Sequence, residues 1–189
     1  PRRPERRPGP EAADGSTVGA MGTWRIDEDR ASVRISVDPL PPGLGLTVRG
    51  ITGTFDIELG EDDRPDLRHP ITGPFALDID RLKVGPEAVS KVARSLLGRG
   101  EGVTVEGTIG GTERTHGHDR DEFAFSIDVT VQGTTDTIPG TGVTGVAGPD
   151  GLRVEGQTRI DPRGLGINVP LAGRVRSVAD WDLWLVAEG

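Results

Sequence analysis

From Phe123 to Val131 every second residue is apolar: Phe123, Phe125, Ile127, Val129 and Val131. Ala124, Ser126, Asp128 and Thr130 stand between them. Side chains of a strand point alternately to its two faces, so this pattern puts one wall on a core and the other in water. Gln132-Gly133-Thr134-Thr135 then supplies a turn, and a second extended run follows. The stretch EFAFSIDVTVQGTTDTI therefore reads as a long β-hairpin, and the rest of the chain has to provide strands to pair with it.

The same period recurs along the sequence. Trp24 and Ile26 alternate, then Val33, Ile35 and Val37; Pro39, Pro41 and Pro42 end that run, because proline cannot donate to a ladder. Leu46, Val48 and Ile51 resume it, followed by Phe55, Ile57 and Leu59, by Phe75, Leu77 and Ile79, and by Val103, Val105 and Ile109. Leu152 and Val154 share a face with Gly156, and Trp181, Leu183 and Leu185 close the chain. One segment departs from the pattern. Val89, Val92, Ala93, Leu96 and Leu97 have the spacing of a helical face, with Pro86 suited to the first turn and Gly98 to the stop. One short helix is expected over 86–97.

Eight or more antiparallel strands with short turns must split into a sandwich or close on themselves, and closure removes the exposed edges. The 29 glycines and 15 prolines fit many short strands better than long helices. The expected fold is all-β, a closed antiparallel eight-stranded barrel with one short helix. Glycines at Gly53, Gly107, Gly133 and Gly156 allow the bends that closure requires. Residues 1–22, rich in Arg and Pro and without a large apolar residue before Val18, are expected to be a disordered tail, and residues 23–189 the barrel domain. The chain opens on Pro1 rather than Met, as expected of a processed or truncated chain.

Several of these stretches together resemble the YceI-like proteins. WRIDEDRASVRISV is similar to the opening of that family, an aromatic residue, I-D, a short turn and an alternating strand. Asp128 to Thr135 is similar to its D-L-T-I-x-G-x-T hairpin, Ile160-Asp161 through Gly166-Ile167 to its I-[ND]-R-x-D-F-G-I segment, and ADWDLWLVAE to its closing strand. Arg30-Ala31 replaces the usual His-Ser, Asp136-Thr137-Ile138 the usual K-P-V, and Pro162, Gly164 and Leu165 the Arg, Asp and Phe of the third segment. Polar positions are lost while the apolar framework stays, as in a diverged member. The resemblance implies a lipocalin-like barrel whose apolar cavity binds isoprenoid-tailed molecules such as polyprenyl quinones, or other lipids. It also favours an exported or cell-envelope location over a cytoplasmic one.

The inward positions of the alternating strands are the expected lining of such a cavity: Ile35, Val37, Phe55, Ile57, Phe75, Leu77, Phe123, Phe125, Ile127, Val129, Trp181 and Leu183. Alternation alone is equally satisfied by a dry, solid core. The competing function is then an interaction module working through its outer surface, with Trp184 between Leu183 and Leu185 as part of an apolar patch. A net charge of −8 argues against a nucleic-acid partner. A homodimer stays open. No cysteine is present, so disulfides and thiolate metal sites are excluded. His116-Gly117-His118-Asp119 reads as a solvated Gly-rich loop rather than a metal site, His69 as a lone residue beside Pro70, and Glu61 to Asp66 as an acidic turn without EF-hand spacing. No G-x-S-x-G or H-E-x-x-H occurs. The expectation is a binding protein, not an enzyme, with no metal or cofactor.

Overall fold

The computed structural model describes residues 21–38, 46–78, 83–84, 104–115, 122–166 and 176–188. The helix expected over 86–97, the loop histidines His116 and His118 and most of the N-terminal tail lie outside the described residues. Strand β1 (Met21–Ile26) opens the described chain. It pairs on one side with β4 (Ile51–Glu58) and on the other with β11 (Arg176–Ala187), and the second pairing closes the ring. Between them the order is β4, β5 (Gly73–Asp78), β7 (Thr104–Arg114), β8 (Glu122–Val131), β9 (Thr134–Thr144), β10 (Leu152–Ile160) and β11, each antiparallel to the next. The result is a closed eight-stranded antiparallel barrel.

Three further strands extend this ring. Strand β1 registers against Leu185 to Ala187, and β2 (Ser32–Asp38) takes over the same edge of β11 from Asp182 to Arg176. Strand β3 (Leu46–Val48) pairs with β2, and β6 (Lys83–Val84) with β3. Strands β1 and β2 thus form one broken stave, as do β3 and β4. The first break is a tight turn in which the Ala31 N–H donates to Asp27 O (2.9 Å) and the Asp27 N–H to Trp184 O (2.8 Å). The second pivots on Gly50, whose φ of 73° is open to glycine at little cost.

The opening hairpin is β8 and β9. Gln132 and Gly133 have φ of 50° and 81°, the pair of left-handed residues that a two-residue type I′ turn needs. The register it sets pairs Ile127 with Ile138 on the inner face and Asp128 with Thr137 on the outer. The polar stretch after Ile109 is strand rather than loop: β7 continues to Arg114. An irregularity between Ile109 and Gly111 shifts the register, so Thr112 rather than Gly111 turns inward. Thr112 is buried and its Oγ1 accepts the Ile71 N–H at 2.9 Å, which explains why a polar residue continues the strand there.

One end of the barrel is well covered. Where β1 begins and β11 finishes (the terminal end), the loop after β4 folds over with Leu59, Leu67 and Ile71 packed on the core. Its Asp63 O accepts the Ala147 N–H at 2.7 Å, which ties it to the loop after β9. At the opposite, far end Leu165 is buried against the core beside the start of β9. The outer wall carries charge. Arg153 on β10 donates to both carboxylate oxygens of Asp182 on β11 (2.9 and 3.0 Å), and Gln157 donates to Asp180 at 2.8 Å. A lipid-facing barrel wall would be an apolar band at these positions.

Inside, aromatic rings lie against glycines. Phe75 faces Gly107 across the β5–β7 ladder, Phe125 covers Gly140 and reaches Gly156, and Phe123 covers Gly142. A Cβ at Gly107 would run into the Phe75 ring, whereas one at Gly148 would meet nothing within 4 Å. Gly107→Ala is therefore expected to lower unfolding free energy by about 1–3 kcal/mol through overpacking. Gly148→Ala should leave it within about 0.5 kcal/mol of the parent. Urea unfolding of both variants checks the pair, and equal effects would mean that the rings do not lie in these slots.

Candidate ligand-binding site in the barrel interior

The interior is built by one parity of each strand. Phe55 and Ile57 of β4, Phe75 and Leu77 of β5, Ile127 and Val129 of β8 and Leu183 of β11 are buried in the core cluster. Phe123 is also buried, with its ring centroid 5.8 Å from that of Phe125. Ile35, Phe125 and Trp181 share the inward parity but are only partly buried. Val37 sits on the inward register of β2, opposite Ser177, and its side chain lies outside the described residues. Alternation had placed these residues on the inner face. It had not marked Ile109, Val154 and Ile160, which are inward and partly buried too, although Val154 was legible as the same face as Leu152.

The mixture of buried and half-buried inward residues is informative. An inward side chain of a closed ring that keeps exposed surface borders either interior space or an open mouth of the barrel. Fully buried ones occur on β1 and β4 (Ile26, Ile51 and Ile57) and equally on β2, β10 and β11 (Val33, Leu152 and Ala179), all at most 1% exposed. The partly exposed ones lie mostly on β8, β10, β11 and β2: Phe125, Val154, Ile160, Trp181 and Ile35. Gly140 and Gly156, cross-strand partners of Phe125 and Trp181, place no side chain at these inward positions. Buried and partly exposed inward residues thus alternate along the same strands.

Trp181 is one of the partly exposed inward residues. Its ring meets Phe75 edge to face (centroids 5.5 Å apart, 77° between planes), and its Nε1–H donates to Thr158 Oγ1 at 2.9 Å. This satisfies the polar end of the indole inside the barrel. Among the described residues the inward strand positions carry no charged side chain until the rims, where Asp136 stands near the far end and Arg114 near the terminal end. Such a lining removes apolar surface from water without offering a charge to pair with. A groove of about 380 Å³ is lined by the outward residues Arg25, Thr52, Thr54, Pro74, Glu106 and Thr108, and at its floor by Ile26, Gly53, Phe75 and Gly107 of the inward register.

Trp184 points outward, as its place between Leu183 and Leu185 requires, but it is no bare apolar patch. The Arg30 guanidinium stacks on its ring at 3.6 Å and donates to Asp150 O at 2.8 Å, and the Arg153 guanidinium lies 5.9 Å from the ring centroid. The ring is half-buried under cations rather than offered to a partner.

No protein-family model matches the sequence, and no curated protein matches it. Solved structures do. The crystal structure of Burkholderia cenocepacia BcnA superposes with a TM-score of 0.65 at 8% identity, covering 85% of this chain and 99% of that one. A polyisoprenoid binding domain from Saccharophagus degradans, implicated in plant cell wall breakdown, superposes with a TM-score of 0.54 at 10% identity, covering 87% of this chain and 98% of that one. At such identities the likeness is one of fold. The chain is a closed β-barrel that shares the fold of these two structures, and a closed barrel is what the resemblance read from sequence implied.

His69 is a further correction: it is not alone. The loop after β4 brings it to Glu58, with Nδ1 3.0 Å from Oε2, and within 4.0 Å of Asp66. The spacing in sequence hid this, because Glu58 ends a strand and the loop folds back over it. Asp66 is held chiefly by Arg68, whose Nε lies 2.9 Å from both carboxylate oxygens and whose Nη2 also contacts Oδ2. The guanidinium hydrogen bonds pull the Asp66 carboxyl from the ordinary 3.8 down to about 2, against the opposing effect of burial. A carboxylate whose folded pKa is depressed stabilises the protein above its unfolded pKa and loses that contribution as pH falls through the folded value. Arg68→Ala should therefore lower the melting temperature at neutral pH, and the gap to the parent should close as pH falls from about 4 to about 2. Melting curves across that range check it; a gap independent of pH would contradict the pairing.

Proposed function

We propose that this chain is a diverged YceI-like protein that carries a long apolar molecule in its barrel interior and performs no chemistry on it. The observation that carries the reading is the partly exposed inner surface of Phe125, Val154, Ile160, Trp181 and Ile35 inside a closed ring. Apolar side chains left uncovered in a closed interior forgo stabilisation, which an apolar occupant would restore. At about 25 cal/mol per Å², a tail burying several hundred Å² gains on the order of 10 kcal/mol before the costs of association. The fold shared with a polyisoprenoid binding domain supports an isoprenoid tail, and a polyprenyl quinone is one molecule of that kind. The rival reading, a surface interaction module centred on Trp184, is disfavoured by the arginine that covers the ring.

Native mass spectrometry of protein purified from a bacterial host should show a bound lipid-like mass that denaturation releases. Delipidated protein should gain thermal stability from a long-chain polyprenyl quinone. At a hundredfold excess over Kd the gain is about 2.7 kcal/mol, a rise of several degrees in Tm. A protein that carries no lipid and whose Tm no prenyl compound raises would end this reading.

A further inference from the structure

We propose that Ser177 recognises an uncharged, oxygen-bearing head, a hydroxyl or a carbonyl, on the apolar molecule carried in the barrel, and so fixes how deep and which way round it sits. This rests on the carrier reading above. Ser177 belongs to the inward parity of β11, two residues before Ala179 and four before Trp181. It is 5% exposed, and among the described residues no side chain or loop group hydrogen-bonds its hydroxyl. A buried hydroxyl without a partner is costly, and native proteins supply one from protein, water or ligand.

Its surroundings select among these. Its ladder partners are Ile160 on β10 and Val37 on β2, and neighbouring Ala179 pairs with Ile35. Ile160, beside Ser177, and Ile35, one pair further along the wall, are among the inward residues that keep exposed surface, so the buried hydroxyl is flanked by partly uncovered apolar side chains. The second inward hydroxyl without a described partner, Thr144, stands near the terminal end, where the loops after β4 and β9 close over the barrel. Thr158, between the two along the wall, already accepts the Trp181 Nε1–H and is fully buried. Ser177 is the hydroxyl left to engage an occupant.

The chemistry of the head follows from the lining. A serine hydroxyl donates one hydrogen bond and accepts others, which suits an alcohol or a carbonyl. A phosphate or carboxylate brought to the same depth would lose its hydration without meeting a cation among the described inward residues, and the near rim carries the carboxylate Asp136. An anionic head is therefore disfavoured at this end.

The test compares three probes of one skeleton on the full chain: a tetraprenyl alcohol, the hydrocarbon without its oxygen, and the phosphate monoester. Affinities are read by competition against a fluorescent prenyl probe. The parent should bind the alcohol about tenfold more tightly than the hydrocarbon, with the phosphate weakest. Ser177→Ala should remove most of the preference for the alcohol while leaving hydrocarbon affinity unchanged. Ser177→Thr, which keeps a hydroxyl, should restore much of it, and Thr144→Val should change neither. Urea unfolding of each variant confirms an intact barrel. If Ser177→Ala keeps the parent's preference, or the phosphate binds best, the assignment to Ser177 is overturned with the carrier reading intact. If no probe binds the parent, the carrier reading itself fails and this inference falls with it.

Discussion

The pairing of β1 with β11 is the contact on which everything else depends. It is short, running only from Trp24 opposite Ala187 to Ile26 opposite Leu185. Without it the sheet would be an open, strongly twisted ribbon with two unpaired edges, and its inner face would have to find another cover. With it, the alternation of each strand becomes the distinction between an inside and an outside. The ring also joins the beginning and end of the described chain, so this closing contact has the largest sequence separation of any ladder in the fold. Contacts of that kind are costly to form early and tend to come late in folding.

Closure sets a volume, and the residues decide how much of it is filled. Large side chains such as Ile26, Ile51, Ile57, Leu152 and Leu185 are fully buried, and the Phe75 ring lies against Gly107. Gly140 and Gly156 stand where a side chain would otherwise project, and the Phe125 ring covers the first and reaches the second. Aromatic rings laid on glycines occupy the space that a Cβ there would need. An interior with uncovered apolar surface fits a protein whose stability is completed by what it holds.

Much of this was legible in the residues. The strict period of Phe123 to Val131, the Gln132-Gly133 turn and the repeated short alternating runs were enough to imply an antiparallel barrel and to sort inner from outer faces. The register shift after Ile109 was not legible, because an extra residue in a strand leaves no mark in a Gly-Gly-Thr stretch that also reads as a loop. Nor was the meeting of His69 with Glu58, which depends on how a loop returns over a strand end. The cover on Trp184 was equally hidden: alternation says that a residue points out, and says nothing of the arginine from a distant turn that stacks on it. Ser177 stood in plain sight with the right parity, but a serine in a strand draws notice only once its burial and lack of a partner are known.

The central claim is that the half-buried inner surface is a binding surface, and Trp181 reports on it directly. It faces the interior, whereas Trp184 lies outside under Arg30. In a variant carrying Trp24→Phe and Trp184→Phe, Trp181 is the remaining tryptophan. Titrating that variant with a prenyl chain bearing bromine along its tail should quench the fluorescence saturably at one molecule per chain. An unquenched Trp181 at saturating probe, with the barrel folded, would contradict the account.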